Sequence, residues 1–269
     1  MSPGVSRKGR CILNGQETQL DINEGNNLLH GGPKGLDTKL WDVLVNETEG
    51  KLIFSITDPA GANNFPGTMQ IKVVYTLTED DEWIIDYEAT TDETTLFNPT
   101  NHVYFNLTGD IKKPILNHEL KLASPRYIPL AEENLPSDNM ENVDGTPFDF
   151  TEAKPVKEAV HADHPQIKPL NGLDHPFVLE PDTEVKGVLY DPVSRREVKL
   201  YTDCNSVVVF THNALVDDYL IEGEPAKQYA GITLETQTLP DAVNHPGFGN
   251  IVLTPEDTFQ VSARRIRSA

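Results

Sequence analysis

Met69-Gln-Ile-Lys-Val-Val-Tyr-Thr-Leu77, followed by Thr78-Glu-Asp-Asp81 and then Glu82-Trp-Ile-Ile-Asp-Tyr-Glu-Ala-Thr90, carries the strongest strand pattern in the chain. Both arms are rich in Val, Ile, Tyr and Thr and follow a period-two pattern, the signature of strands buried on one side. The acidic segment between them reads as a hairpin connection. The same patterning recurs in Lys51-Leu-Ile-Phe-Ser-Ile-Thr57, Glu197-Val-Lys-Leu-Tyr-Thr202 and Ser206-Val-Val-Val-Phe-Thr211. Breakers such as Asp58-Pro-Ala-Gly-Ala-Asn-Asn-Phe-Pro-Gly67 separate these runs. No stretch longer than about 12 residues shows a 3.6-residue apolar period, so helix should be scarce. The chain is expected to be all-β and mainly antiparallel. Residues 130–170, with scattered Pro, Asp, Glu and Asn, read as a long excursion over the sheet that walls one side of a pocket, since strands resume at Phe177-Val-Leu179.

A chain of 269 residues is long enough to bury a substantial core, and an all-β sandwich of this length is expected to be one domain. No internal repeat is evident. The net charge of −20 and pI near 4.7 disfavour nucleic acid and anionic membranes, which such a chain repels. The partner should be neutral or cationic. No run approaches the roughly 18 apolar residues that span a bilayer, and Met1-Ser-Pro-Gly-Val-Ser-Arg7 lacks the apolar core of a secretory signal. The two cysteines, Cys11 and Cys204, indicate no disulfide framework. The expectation is a cytoplasmic protein.

Glu235 is the first candidate for chemistry. It is a lone acid in the strand-like Gly231-Ile-Thr-Leu-Glu-Thr-Gln237, which leads into Pro240-Asp-Ala-Val-Asn-His-Pro-Gly-Phe248. A carboxylate turned inwards loses water, its pKa rises, and it becomes a candidate proton acceptor, whereas one turned outwards is only a solvated side chain. Three further segments stand out: Asn27-Leu-Leu-His-Gly-Gly32, Asn98-Pro-Thr-Asn-His-Val-Tyr-Phe-Asn-Leu107 and Gly172-Leu-Asp-His-Pro-Phe177. In structural terms, His30 caps a glycine turn, Asn98, Asn101 and Asn106 hold a structural His102, and Asp174 caps the turn after Asn171-Gly172. His175 and His245 are given no role. His161-Ala-Asp-His164 is spaced like neither a zinc helix motif nor a calcium loop, so no metal is expected. Trp41, Phe65 and Phe248 serve either as a stacking face for a ligand ring or as packing.

Taken together and in order, these segments resemble the galactose mutarotase, or aldose 1-epimerase, family. The resemblance runs from about residue 9 to the C-terminus and includes Trp41, Phe65-Pro-Gly67 and Asp144-Gly-Thr-Pro-Phe-Asp-Phe150. It implies a large antiparallel β-sandwich of the galactose mutarotase-like superfold with an open cleft on one sheet. It also implies Glu235 as general base, His102 as general acid, and His30 and Asp174 as sugar-binding residues. The expected activity is interconversion of the α and β anomers of galactose, glucose or a related aldose. That reaction removes a proton from the C1 hydroxyl and delivers one to the ring oxygen. A carboxylate with a raised pKa and an imidazole suit the two tasks, and no cofactor is required.

Two departures from the family pattern stand out. Members carry an Asn-Arg pair upstream of the histidine that matches His30; counting back from His30 reaches Gly4-Val5. Residues 1–269 are therefore expected to form a single domain of this type without the family's first strands, as a monomer or as a homodimer through the sheet left exposed. Arg7 is the nearest substitute for the arginine. At the second position Val208 replaces a sugar-contacting glutamine. A hydrogen bond to a charged donor contributes about 1.5–3 kcal/mol and a neutral one about 0.5–1.5 kcal/mol, so losing both weakens binding by roughly two to three orders of magnitude. The alternative to an active enzyme is a non-catalytic or weakly active carbohydrate-binding relative. A phosphorylated sugar is disfavoured by the acidic chain.

Overall fold

The computed structural model describes residues 5–213, 220–221 and 223–268. The expected hairpin forms. Met69–Leu77 and Glu82–Thr91 pair antiparallel from Met69 opposite Thr91 to Leu77 opposite Trp83. Thr78 shapes the turn: its Oγ1 accepts hydrogen bonds from the backbone N–H groups of Asp80 and Glu82.

This hairpin lies within a nine-stranded antiparallel sheet. Its spatial order is Lys154–Pro155, Glu119–Leu122, Gly187–Tyr190, Glu197–Thr202, Phe259–Ser268, Glu82–Thr91, Met69–Leu77, Lys51–Asp58 and Asp42–Asn46. A second, six-stranded sheet runs Tyr104–Phe105, Ile232–Gln237, Ser206–Phe210, Asp174–Val178, Arg126–Tyr127 and Glu141–Asn142. The two sheets share one core. Leu120, Leu122, Leu189, Val198 and Leu200 from the first meet Phe177, Val207, Val209, Ile232 and Leu234 from the second. Fully burying each such side chain stabilises the fold by about 1.5–3 kcal/mol relative to exposure, and this face-to-face burial defines an antiparallel β-sandwich. Among the described residues the single α-helix is Val156–Val160.

Residues 130–170 are more than an excursion. Leu130, Glu133, Asn134 and Pro136 do wall a cavity, but Phe148, Phe150, Val156, Ala159, Val160 and Ile167 are buried in the main core. Phe148 stacks on Tyr127 with ring centroids 4.1 Å apart. The apolar positions of this segment follow no regular period because it packs through turns, so its contribution to the core leaves no periodic trace in the sequence.

Strand alternation in the smaller sheet positions the site. All six residues of Ile232–Gln237 are buried, but Ile232 and Leu234 enter the core while Glu235 and Gln237 line a cavity on the opposite face. The neighbouring strands match this division. Val208 pairs with Glu235 and Phe210 with Thr233, while Pro176 pairs with Val208 and Asp174 with Phe210. Asp174, Pro176, Val208 and Phe210 all line that cavity, as the period of two requires.

Candidate active site

The cavity has a volume of about 320 Å³ and brings together His30, His102, Asp174 and Glu235. Glu235 is only 4% exposed. Its Oε1 lies 3.2 Å from His102 Nε2 and accepts a hydrogen bond from Thr233 Oγ1 at 2.9 Å. Burial pushes its carboxyl up to about 7, against the pull of the Thr233 hydroxyl. Asp174 is also pushed up to about 7, first by burial and then by the charge of Glu235. Burial lowers the pKa of His102, partly offset by Asp174. The cluster therefore exchanges protons near neutrality as a coupled unit.

His102 sits on a loop whose polar side chains take the place of an adjacent strand. Asn98 Nδ2 donates to the carbonyl of Thr238, and Asn98 Oδ1 accepts from its N–H. Thr100 Oγ1 donates to the carbonyl of Thr236. Asn101 donates to the Tyr75 hydroxyl on the larger sheet, and Asn106 donates to the carbonyls of Lys113 and Ala230. These asparagines hold the loop, as their structural reading anticipated, and the imidazole they position faces a carboxylate.

His30 approaches from the turn after Leu28–Leu29. Its backbone is left-handed, with φ 52°, as are those of Gly31 and Gly32. A β-carbon on Gly32 would press on the side chain of Asn63, which holds both backbone groups of Lys34. The His30 ring meets that of His102 edge to face at 5.8 Å, and its buried Nδ1 has no partner among the described residues. Burial and the neighbouring His102 push its pKa down to about 4, so the imidazole is neutral and available for hydrogen bonding.

Asp174 opens its strand two residues after Gly172. A β-carbon at Gly172 would overlap the side chains of Asn213 and Thr211, which bind both backbone groups of Leu173. His175, next in sequence, turns to the other face, is fully buried and lies 3.2 Å from Gln166 Oε1. His245 stacks on Phe248 with centroids 4.6 Å apart and lies 3.2 Å from both Asp138 and Asp241. Neither lines the cavity.

Arg7 is not brought into the cleft. It lies exposed in the turn Arg7–Gly9 and is not among the residues lining the cavity. The turn is fixed by the Lys8 N–H, which donates to Asn27 Oδ1, and it leaves the guanidinium in solvent. Val5 belongs to a short strand paired with Leu28–Leu29, and its side chain lies outside the described residues. The three aromatics considered for stacking also lie elsewhere. Trp41 packs in a core cluster and donates to the Leu36 carbonyl, Phe65 packs beside Leu20 and Leu96, and Phe248 is buried. The aromatic wall of the cleft is Phe210, with Tyr104 5.2 Å from the His102 ring. Alternation along Ser206–Phe210 gives the face of Phe210, but only strand pairing shows that this face holds Glu235. Among the described residues no group of His, Cys, Asp or Glu side chains is arranged to hold a metal ion.

Comparison with known proteins identifies the family. The family model for aldose 1-epimerase matches residues 3–264. Aldose 1-epimerase of Escherichia coli K12 is 35% identical over 240 residues, covering 88% of this chain and 68% of the relative. Galactose mutarotase of Bos taurus is 36% identical over 259 residues, covering 94% and 72%. The crystal structure of galactose 1-epimerase from Lactobacillus acidophilus superposes with a TM-score of 0.89 at 30% identity, covering 99% of this chain and 77% of that one. With its sandwich fold, its cleft and this match over nearly its whole length, the chain belongs to the aldose 1-epimerase family.

Proposed function

We propose that this protein, with residues 1–269 acting as one catalytic unit, interconverts the α and β anomers of galactose, glucose or a related aldose. The observation that carries the reading is the contact of Glu235 Oε1 with His102 Nε2 at 3.2 Å on the floor of a cavity of about 320 Å³. The two proton-handling groups lie within hydrogen-bonding distance of one another. A pyranose replaces that contact with two others, its C1 hydroxyl on one group and its ring oxygen on the other. Glu235 takes the hydroxyl proton as His102 supplies one to the ring oxygen, and the C1–O5 bond breaks. Rotation about C1–C2 exposes the other face of the aldehyde, and closure runs the same transfers in reverse. The protein needs only to hold one mobile proton near neutrality, which the raised Glu235 supports. Asp174 and the neutral His30 serve as hydroxyl partners along the wall. We also infer a cytoplasmic location from the free thiols of Cys11 and Cys204, which fit a reducing compartment.

Polarimetry tests this directly: freshly dissolved α-galactose is expected to relax faster with the protein than without it. Glu235→Gln and His102→Asn should each remove most of the acceleration, about 10²–10⁴-fold. Full activity in both would refute the assignment. Val208, apolar in the cavity floor, favours the second reading of a weakly active sugar binder, and normal sugar binding without acceleration would select it.

A further inference from the structure

Gln237 lies two residues beyond Glu235 on the same strand and the same face. It is 1% exposed, lines the cavity, and its buried Oε1 has no hydrogen-bond partner among the described residues. Such an atom is costly to leave unpaired. The neighbouring strands offer it nothing. Ser206, directly opposite in register, uses its hydroxyl on the Gln237 backbone carbonyl, and the next cleft-facing residues, Val208, Phe210 and Pro176, have no polar side-chain atom. We propose that Gln237 is a sugar-binding, specificity-determining residue, its amide oxygen accepting a hydrogen bond from a pyranose hydroxyl on the side of the ring away from C1.

The dimensions agree with this role. Two residues along a strand span about 6.6 Å, so a ring whose anomeric carbon stands at Glu235 extends towards Gln237. Val208 lies across from Glu235, leaving the middle of the floor apolar, so hydroxyl recognition passes to the end of the adjacent strand. The proposal rests on the aldose 1-epimerase reading.

The test measures galactose binding by calorimetry and mutarotation by polarimetry, on the wild-type chain and on Gln237→Met and Gln237→Glu. Galactose and its 2-, 3-, 4- and 6-deoxy analogues are the probes. Loss of one neutral hydrogen bond predicts that Gln237→Met weakens galactose binding and raises KM about three- to tenfold, with kcat and its pH profile little changed. Gln237→Glu, which keeps an oxygen at the same reach, should bind more tightly than Gln237→Met. One deoxy analogue should bind the wild type and Gln237→Met equally well, because its missing hydroxyl is the one that Gln237 reads. If Gln237→Met fails to fold, the wild-type side-chain amide resonance that is absent in Gln237→Glu provides the test, and it should shift as galactose is added. Unchanged affinity in a folded Gln237→Met, equal penalties on every analogue, or an amide resonance indifferent to galactose would overturn the proposal. Each of these can occur while the wild type accelerates mutarotation, so the proposal can fail alone. Binding without acceleration would instead defeat the epimerase reading, and absence of binding would defeat both.

Discussion

Burial of the Glu235 carboxyl comes at the expense of stability. Its carboxyl titrates at about 7 in the folded chain against an ordinary 4.5, so between those values the folded state holds a proton that the unfolded state has released. The resulting stabilisation is full below about pH 4.5 and is lost as pH rises through 7. Burial of His30 and His175, pushed down to about 4 and 3, contributes in the opposite direction, since unfolded histidine takes up protons below its ordinary 6.5. The wild-type profile therefore mixes both effects, and a variant separates them. Glu235→Gln keeps the shape and removes the titration. Relative to wild type, its thermal midpoint is expected to rise progressively from pH 4.5 to 8, by on the order of 3 kcal/mol at the upper end or roughly 5–10 °C. Scanning calorimetry at four pH values checks this, and a difference independent of pH would show that the carboxyl is not desolvated. In catalysis the base must be ionised, so kcat/KM should fall as pH drops below about 7. That limb reports the coupled Glu235, Asp174 and His102 cluster rather than one residue.

At the scale of elements, the loop carrying His102 is held as an imitation strand. Asn98 and Thr100 reach the backbone of Thr236 on the strand of Glu235 and of Thr238 just past its end, so His102 and Glu235 are registered to one another by the same hydrogen bonds that complete the sheet. Asn98→Ala removes two of these bonds and leaves the Thr238 backbone groups without them. Stability should fall by about 1–3 kcal/mol, and kcat by about tenfold or more, because a small displacement of His102 is enough to lose geometry. The pH profile should stay in place, since no titrating group is changed. Urea unfolding and polarimetry read the two effects separately, and a loss of stability with intact kcat would mean that the loop supports the fold without aiming His102. The spacing Asn98-Pro-Thr-Asn-His102 was legible as a polar cluster around a histidine. Its partners, the carbonyls of a strand 136 to 140 residues later, leave no local signal. Gly172 was likewise visible as a turn residue, whereas the crowding of Asn213 and Thr211 against it is a property of strand pairing.

Over the whole molecule, the sequence disclosed what depends on local period and hid what depends on register. The long strands and the scarcity of helix followed from alternation, and Glu235 stood out as an acid inside such a run. The residues that share its face from neighbouring strands, Val208, Phe210, Pro176 and Asp174, become neighbours only through pairings that one-residue slips would reverse. Arg7 was placed by counting along the chain, and the turn at Arg7–Gly9 left it in solvent. Charge is the other global property, and it distinguishes fold from substrate. A net charge of −20 repels itself across the folded surface. Raising salt from 0.01 M to 0.15 M shortens the screening distance from about 30 Å to about 8 Å, so the thermal midpoint should rise. An uncharged sugar is not steered by that field, so KM for galactose should stay flat over the same range. A galactose phosphate would be repelled at low salt and relieved by screening, giving a KM that falls as salt is added. Measuring both curves on one preparation separates the two substrate classes. A galactose KM that tracks the salt concentration would show that the cleft depends on charge in a way that the neutral-sugar reading does not allow.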